Sequence, residues 1–216
     1  MRTVFLAAAF VALPFATFVQ PSARQADPDR AVKGSGLPAG WQARFDNAGA
    51  TTAHVKFVAA GQGYRVTSGP AGIFYQPART GSGPLNVKVV FSQLKAAEHP
   101  EAYGLLIGGS DLQGPNQKYT YFLLRQDGMF LIKRRAGAAT PTVKNWTAHA
   151  AIKQPSTPWT MTNELAVTTD QQKAHFWINS VEVASVPLSE IDASGVAGVR
   201  INHNLDVRFE FAPPAK

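Results

Sequence analysis

Residues 118–135 read KYTYFLLRQDGMFLIKRR, and this stretch decides the fold. Two runs of aromatic, aliphatic and basic residues flank the dipeptide Asp127-Gly128. This dipeptide is typical of a two-residue type I′ turn, because both central positions of that turn need a positive φ. The stretch therefore predicts two antiparallel strands joined by a tight turn.

The same turn predicts which side chains of the hairpin share a face. Counting outward from a two-residue turn pairs Leu123 with Ile132 and Leu124 with Leu131. Because side chains alternate along a strand, the two pairs are expected on opposite faces. The face with Leu124 and Leu131 is mostly aliphatic and is predicted to pack on the core. The opposite face is predicted to present an aromatic and arginine surface formed by Tyr119, Tyr121, Arg125, Phe130 and Arg134.

Short apolar-alternating segments, separated by Gly, Asn and Pro, fill most of the chain from residue 41 onward. YGLLIGG (103–109) is apolar on both sides, as a central strand would be, whereas residues 136–160 form a looser stretch. No segment of ten or more residues has helical apolar spacing. A dozen or so short strands with turn signals between them predict one all-β domain at 37–213, an antiparallel β-sandwich of jelly-roll type.

The last predicted strand, LDVRFEF (205–211), alternates strictly between apolar and charged residues. Such alternation is typical of a strand with one buried and one solvated face. Val207 and Phe209 are therefore expected to be buried on the same side as Leu124 and Leu131.

The first 26 residues predict a signal peptide, because a short basic start precedes an apolar run too short for a comfortable membrane span. An uncleaved anchor is the alternative. Residues 27–36 are polar and rich in Gly and Pro, which predicts a linker. The sequence contains no cysteine, so an exported protein would fold without disulfides, and a bacterial periplasmic or secreted location is favoured. No membrane contact is expected beyond the signal segment.

The charge of the chain is mildly basic, with a formal net charge of +7. Removing residues 1–26 takes away Arg2 and Arg24 and no acidic residue, which leaves +5. The basic residues are spread along the chain without a run, so nucleic acid is not expected as a partner.

The second half of the chain resembles the concanavalin A-like lectin and glucanase domains. The segments that carry this resemblance are NELAV, AHFWINSVEVASV, GVAGVRIN and LDVRFEFA, although Ser180 replaces the usual turn glycine. YGLLIGG and the central hairpin are similar to strands of laminin G-like and 3-keto-disaccharide hydrolase-like members. The resemblance spans about residues 41–212 and implies a jelly roll that takes carbohydrate on its concave face.

Known catalytic motifs are absent from the sequence. A glucanase of this superfamily would show an E-x-D-x-E strand, and the nearest match, at 190–194, ends in Ser194 and follows Pro187 in a polar loop. No serine has the glycine spacing of a nucleophile elbow, and the five histidines lack zinc-site spacing. Many relatives hold a structural calcium, for which Asp111 and Asn116 are the best pair. Calcium needs six to eight oxygens, so no metal or other cofactor is predicted.

The favoured interpretation is an exported module that binds carbohydrate, or a similar polyhydroxylated ligand, without catalysis. Aromatic rings stack on sugar faces, while Arg and Asn bond hydroxyls. One alternative is a glycoside-cleaving enzyme of the 3-keto-disaccharide hydrolase-like kind, with Glu164 and His175 as acid/base candidates. Another is a non-catalytic envelope domain that binds proteins, in which these side chains only cover a sheet. The predicted ligand-binding residues are Tyr119, Tyr121, Arg125, Arg134, Trp177, Arg200 and Asn202.

Overall fold

The computed structural model describes residues 27–81 and 83–213. Within these residues the chain forms fourteen β-strands and two short 3-10 helices, Thr52–His54 and Leu188–Glu190. None of the described residues belongs to a helix that is long and apolar enough to cross a membrane. The predicted signal peptide, 1–26, lies outside the described residues.

The strands form two antiparallel sheets of seven strands each, which confirms the predicted jelly-roll sandwich. Sheet I contains, in spatial order, β1 (Gln42–Phe45), β4 (Gly72–Gly81), β13 (Gly195–Ile201), β6 (Ala102–Ser110), β7 (Lys118–Arg125), β8 (Met129–Ala136) and β9 (Thr142–Ala148). Sheet II contains β12 (Val181–Pro187), β11 (Lys173–Ile178), β10 (Met161–Thr169), β5 (Asn86–Gln93), β14 (Asp206–Phe211), β3 (Gly63–Ser68) and β2 (Val55–Ala60).

The main core lies between the two sheets and follows the predicted alternation. Val207 and Phe209 of β14 are fully buried in the same cluster as Leu124 of β7. Strand β6 is buried on both sides, as its continuous apolar run predicted. A second, smaller apolar cluster packs on the side of sheet I that faces away from sheet II. This side is called the outer face of sheet I below, and the corresponding side of sheet II is its outer face.

The central hairpin forms, but its predicted register is wrong by one residue. Leu123 pairs with Leu131, and Leu124 pairs with Phe130. The turn is a three-residue loop in which Gly128 alone has a positive φ, of 80°, and donates its N–H to the carbonyl of Arg125 at 3.1 Å. A type I turn followed by a left-handed glycine accounts for this loop.

The corrected register moves several side chains to the opposite face. Phe130 and Ile132 lie in the main core, whereas Leu131 lies in the outer cluster of sheet I. The expectation that Leu131 shares a face with Phe209 is therefore wrong. Arg134 does not share a face with Tyr119 either. It pairs with Thr120, and neighbouring residues of a strand such as Tyr119 and Thr120 face opposite sides of the sheet.

Two further segments depart from a simple reading of the sequence. The loose stretch 136–160 contains β9, an edge strand with no fully buried residue, so its apolar alternation is weak. The predicted linker, 27–36, contacts the sandwich. Arg30 donates its backbone N–H to Asn204 Oδ1 at 2.7 Å and pairs with Glu98 at 2.8 Å.

Candidate functional site

The residues predicted to bind a ligand do not form one surface. Tyr119, Tyr121, Arg125 and Arg200 lie on the outer face of sheet I, where the tyrosines belong to the smaller apolar cluster. Trp177 lies on the outer face of sheet II, on the opposite side of the sandwich, together with the acid/base candidates Glu164 and His175. A single platform built from both sets is therefore excluded by the fold.

Two predicted residues belong to neither set. Arg134 is bound by Asp192, with Nε donating to Oδ2 at 2.7 Å and Nη2 to Oδ1 at 3.0 Å. This pairing raises the pKa of the Arg134 guanidinium above its ordinary value. Asn202 donates to Glu101 at 3.1 Å near the end of β13, and its side-chain oxygen is buried. Both side chains hold loops against the sandwich.

The outer face of sheet I has little open stacking area. Tyr119 and Tyr121 are only 3% and 7% exposed, because their rings pack into the outer cluster. Arg125 lies 4.1 Å above the ring of Trp146 and forms an ion pair of 2.6 Å with Asp127. The tyrosine rings therefore stabilise the sheet and offer little area on which a sugar could stack.

Arg200 is the central charged group of this face. Its guanidinium lies 5.4 Å from the ring centre of Tyr121 and donates through Nη1 to Asp46 Oδ1 at 3.1 Å, with a second, shorter contact through Nη2. Burial raises the pKa of the Asp46 carboxyl, but the hydrogen bond and charge of Arg200, with the charges of Arg135 and Arg44, outweigh burial and lower it. Asp46 is therefore held as a carboxylate among three guanidinium groups.

A cleft of about 1000 Å³ lies along the outer face of sheet II and extends to the end of β4 and the start of β13 in sheet I. Its floor is a row of three residues in register across β11, β10 and β5: Trp177 pairs with Ala166, which pairs with Lys88. Because neighbouring strands lie about 4.8 Å apart, Trp177 and Lys88 flank the small Ala166 side chain at a backbone separation of roughly 10 Å. The cleft is also lined by Glu164, Thr168, Arg79, Leu85 and Phe211.

Polar contacts hold the walls of this cleft in place. Lys88 Nζ lies 3.0 Å from Glu164 Oε1, and Trp177 donates its indole N–H to Thr168 Oγ1 at 3.0 Å. The indole is thus fixed by its polar edge while part of the ring stays exposed. An oriented aromatic ring beside an acidic and a basic group is a combination suited to a polyhydroxylated ligand.

His175 lies on the same face but is already saturated with hydrogen bonds. Its Nε2 is 3.1 Å from Asp170 Oδ2, and its Nδ1 is 3.1 Å from Glu182 Oε1. The hydrogen bonds to Asp170 and then to Glu182 raise the pKa of the imidazole above its ordinary value of 6.5, because each favours the charged form. These two hydrogen bonds favour the charged form of His175 and tie the β10–β11 turn to β12.

Glu164 and His175 are too far apart to act on one bond. His175 pairs with Thr168, which is four residues from Glu164 along β10. At about 3.3 Å per residue, the two positions are separated by roughly 13 Å, more than the separation of paired carboxylates in glycosidases. Their geometry gives no support to the predicted acid/base pair.

We expect His175→Gln to change how stability depends on pH. Because the folded-state pKa is raised, the stabilisation by His175 is fully present below the unfolded pKa near 6.5 and is lost as pH rises through the folded pKa. Urea unfolding at about pH 5.5 and 8.5 measures the effect. The parent should lose more stability over this interval than the variant, and equal losses would contradict the assignment.

The loop considered for calcium is held by its own hydrogen bonds. Asp111 Oδ2 accepts the backbone N–H of Asn116 at 2.9 Å, and the carbonyl of Asp111 accepts from Gly114. Across the described ranges, no group of three or more acidic or histidine side chains is arranged to hold a metal ion.

Comparisons with known proteins show the fold alone. No protein-family model and no curated protein matches the chain. Solved structures of concanavalin A-like proteins share its jelly-roll fold, the fold that the sequence resemblance predicted. The chain is similar to a β-glucanase from Bacillus licheniformis, at a TM-score of 0.54 and 9% identity over 83% of this chain and 94% of that one. It is also similar to carbohydrate binding module CBM66 from Bacillus subtilis, at a TM-score of 0.53 and 10% identity over 79% of this chain and 92% of that one. A third similar structure is a glycoside hydrolase family 16 endo-glucanase from Bacteroides ovatus, at a TM-score of 0.52 and 11% identity over 79% of this chain and 92% of that one.

Sequence reasoning missed several residues of both faces. Lys88, Ala166 and Thr168 line the cleft, and Asp46 lies beside Arg200. Strand alternation predicts that Lys88 and Thr168 point outward. Their position beside Trp177 depends on pairing between strands that are far apart in the sequence. Asp46 follows β1 in a loop, and nothing in the sequence places it over β13.

Proposed function

We propose that the protein binds carbohydrate, or a similar polyhydroxylated ligand, in the cleft of sheet II without cleaving it. The observation that carries this proposal is the partly exposed Trp177 ring, fixed by Thr168 beside the Lys88–Glu164 pair. Sugar rings present an apolar face bordered by hydroxyls, which an indole and adjacent charged groups complement.

The size and composition of the cleft support the same ligand class. About 1000 Å³ is at the upper end of the range typical of small-molecule sites, which leaves room for more than one sugar ring. Ala166 keeps the floor low between Trp177 and Lys88, so a flat ring can approach the indole. Two of the similar structures are named as glucanases and one as a carbohydrate binding module, which is consistent with a saccharide.

Cleavage of a glycosidic bond is the second candidate function, and the contacts favour binding over it. Both nitrogens of His175 are engaged by carboxylates, and Glu164 is paired with Lys88. A general acid or base must reach the proton that it transfers, and these side chains are instead occupied by Asp170, Glu182 and Lys88.

A glycan array probed with the purified protein tests the proposal. We expect retention on one class of oligosaccharides and no release of reducing sugar after prolonged incubation. Binding to no glycan would contradict the proposal and would favour the third reading, a domain of the bacterial envelope that binds other proteins. Release of reducing sugar would instead favour the enzyme.

We also propose that the protein is exported to the periplasm or the medium. The basic start, the apolar run and the absence of cysteine from the 216-residue sequence support this proposal. Mass spectrometry of the mature protein is expected to find an N-terminus between about Ala23 and Asp27. An intact Met1 on a protein extracted from membranes would contradict cleavage.

A further inference from the structure

The outer face of sheet I holds an excess of positive charge around a single carboxylate. Arg44, Arg135 and Arg200 all lie close enough to Asp46 to stabilise its charged form. Only Arg200 bonds Asp46 directly. The four groups together carry a net charge of +2, which we call the basic cluster of Arg44, Asp46, Arg135 and Arg200.

Neutral groups, and not carboxylates, hold the other two arginines. Arg44 Nη1 donates to the carbonyls of Leu112 and Gly114, at 3.1 and 2.6 Å. With its amide oriented to present oxygen, Gln117 accepts from Arg44 Nη2 and from Arg135 Nη2, each at 3.1 Å. These bonds orient the guanidinium groups but leave their charges uncompensated.

This arrangement differs from that of most arginines in the described part of the chain. Five others lie within 4.0 Å of a carboxylate, in the pairs Arg30–Glu98, Arg65–Asp206, Arg125–Asp127, Arg134–Asp192 and Arg208–Glu210. Arg44 and Arg135 have no such partner among the described residues, and the two lie next to each other in the basic cluster. A concentration of unpaired cations on one face is unfavourable unless water or an anion compensates it.

The surroundings of the basic cluster increase the effect of its charge. The Arg200 side chain is 13% exposed, and the apolar cluster of sheet I lies beneath it. Charges in such a partly desolvated site interact more strongly than charges in bulk water. The rings of Tyr119 and Tyr121 belong to this apolar cluster. Burial raises the pKa of both hydroxyls, and this effect outweighs the opposite effect of the Arg200 charge. Both hydroxyls therefore stay protonated at neutral pH, and each keeps a hydrogen that it can donate to a ligand oxygen.

We propose that the basic cluster, with the Tyr119 and Tyr121 hydroxyls, binds a carboxylate-bearing sugar such as a uronic acid. The planar fork of a guanidinium group matches a carboxylate, and phenol hydroxyls exchange hydrogen bonds with sugar hydroxyls. This site lies on the opposite side of the sandwich from the Trp177 cleft. It is therefore a second site. The basic cluster recognises the charge of its ligand, whereas the cleft recognises the apolar face of a sugar by stacking on Trp177.

Calorimetric titration of the full protein with sodium glucuronate tests the proposal, with glucose, acetate and sulfate as separate probes. We expect glucuronate to bind more tightly than any of the three and its affinity to fall as sodium chloride is added. Glucose binding as tightly would show that charge is not recognised. Acetate or sulfate binding as tightly would show that the sugar hydroxyls contribute nothing. Either outcome, or no binding of glucuronate, overturns the proposal.

Arg135→Gln supplies the decisive variant, because Arg135 is partly exposed and, among the residues that the structure describes, bonds only the neutral side chain of Gln117. Glucuronate affinity should fall by roughly 10- to 150-fold, the range for loss of a hydrogen bond to a charged group. Arg208→Gln is the matched control, since it removes the same charge from the outer face of sheet II and should leave glucuronate binding unchanged. Equal affinity in Arg135→Gln and the parent would contradict the site.

A second measurement keeps the test independent of how well the variant folds. Amide chemical shifts of the parent protein should change on β7, β8 and β13 when glucuronate is added, and not on β10 or β11. Shifts confined to β10 and β11 would place glucuronate in the Trp177 cleft and overturn the second site. The same result would leave the proposed carbohydrate binding in the cleft intact, so the two proposals fail separately.

Discussion

Phe209→Ala is expected to lower the free energy of unfolding by about 3–5 kcal/mol, the usual cost of deleting a buried phenylalanine ring. The Phe209 side chain is fully buried, and five other aromatic rings have their centres 5.6–6.3 Å from its own. Because β14 is paired on both sides, by β3 and β5, the backbone cannot collapse readily into the cavity. Urea or guanidinium unfolding of the variant and the parent measures the difference.

Val90→Ala is the matched control for this core substitution. Val90 lies on β5, next to β14, but its side chain points outward and the residue is 38% exposed. Surface substitutions of this kind usually change stability by less than about 0.5 kcal/mol. A Phe209→Ala variant that unfolds like Val90→Ala would mean that β14 does not present this face to the core.

Trp177→Ala is expected to weaken glycan binding by about 1–3 kcal/mol, or roughly 5- to 150-fold, with little loss of stability. The ring supplies the stacking area of the proposed cleft, and it lies on the outer face of sheet II instead of in the main core. Removal of the Trp177 ring therefore leaves no large cavity in the main core. Affinity for a glycan identified on the array and the melting temperature should be measured on the same preparation.

Trp146→Ala is the matched control, because Trp146 is also a partly buried tryptophan on an outer face, but on sheet I. It should retain glycan affinity. Tyr121→Ala is expected to lower stability and not cleft binding, since Tyr121 is 7% exposed and packs in the outer cluster. The carbohydrate proposal would be contradicted if Trp177→Ala destabilised the fold as strongly as Phe209→Ala while the parent bound no glycan.

Local turn chemistry was predictable at one hairpin and misleading at another. Asn179 and Ser180 adopt φ values of 49° and 67°, so the β11–β12 turn forms where the sequence placed it. Asp127-Gly128 looked equally suited to a two-residue turn, but the loop also includes Gln126. The Gln126 side chain exchanges two hydrogen bonds of 2.8 Å with the backbone of Ala97. This contact joins positions distant in sequence, and no local pattern reports it.

The sequence by itself determined the class of the fold and most of the core. A period of two in apolar residues is a local property, and it assigns each side chain of a strand to an inner or outer position. Val207, Phe209 and the doubly buried β6 were therefore identified correctly. The edge strand β9 escaped notice because a strand with little burial has no need of a regular apolar face.

Only the tertiary structure decided which outward-facing side chains share a surface. A sandwich has two outer faces, and alternation distinguishes inward from outward positions without saying to which sheet a strand belongs. Tyr121 and Trp177 both point outward, yet β7 belongs to sheet I and β11 to sheet II. Sheet membership depends on hydrogen-bonded pairing between strands far apart in the chain, and this pairing divided one predicted platform into the cleft at Trp177 and the basic cluster at Arg200.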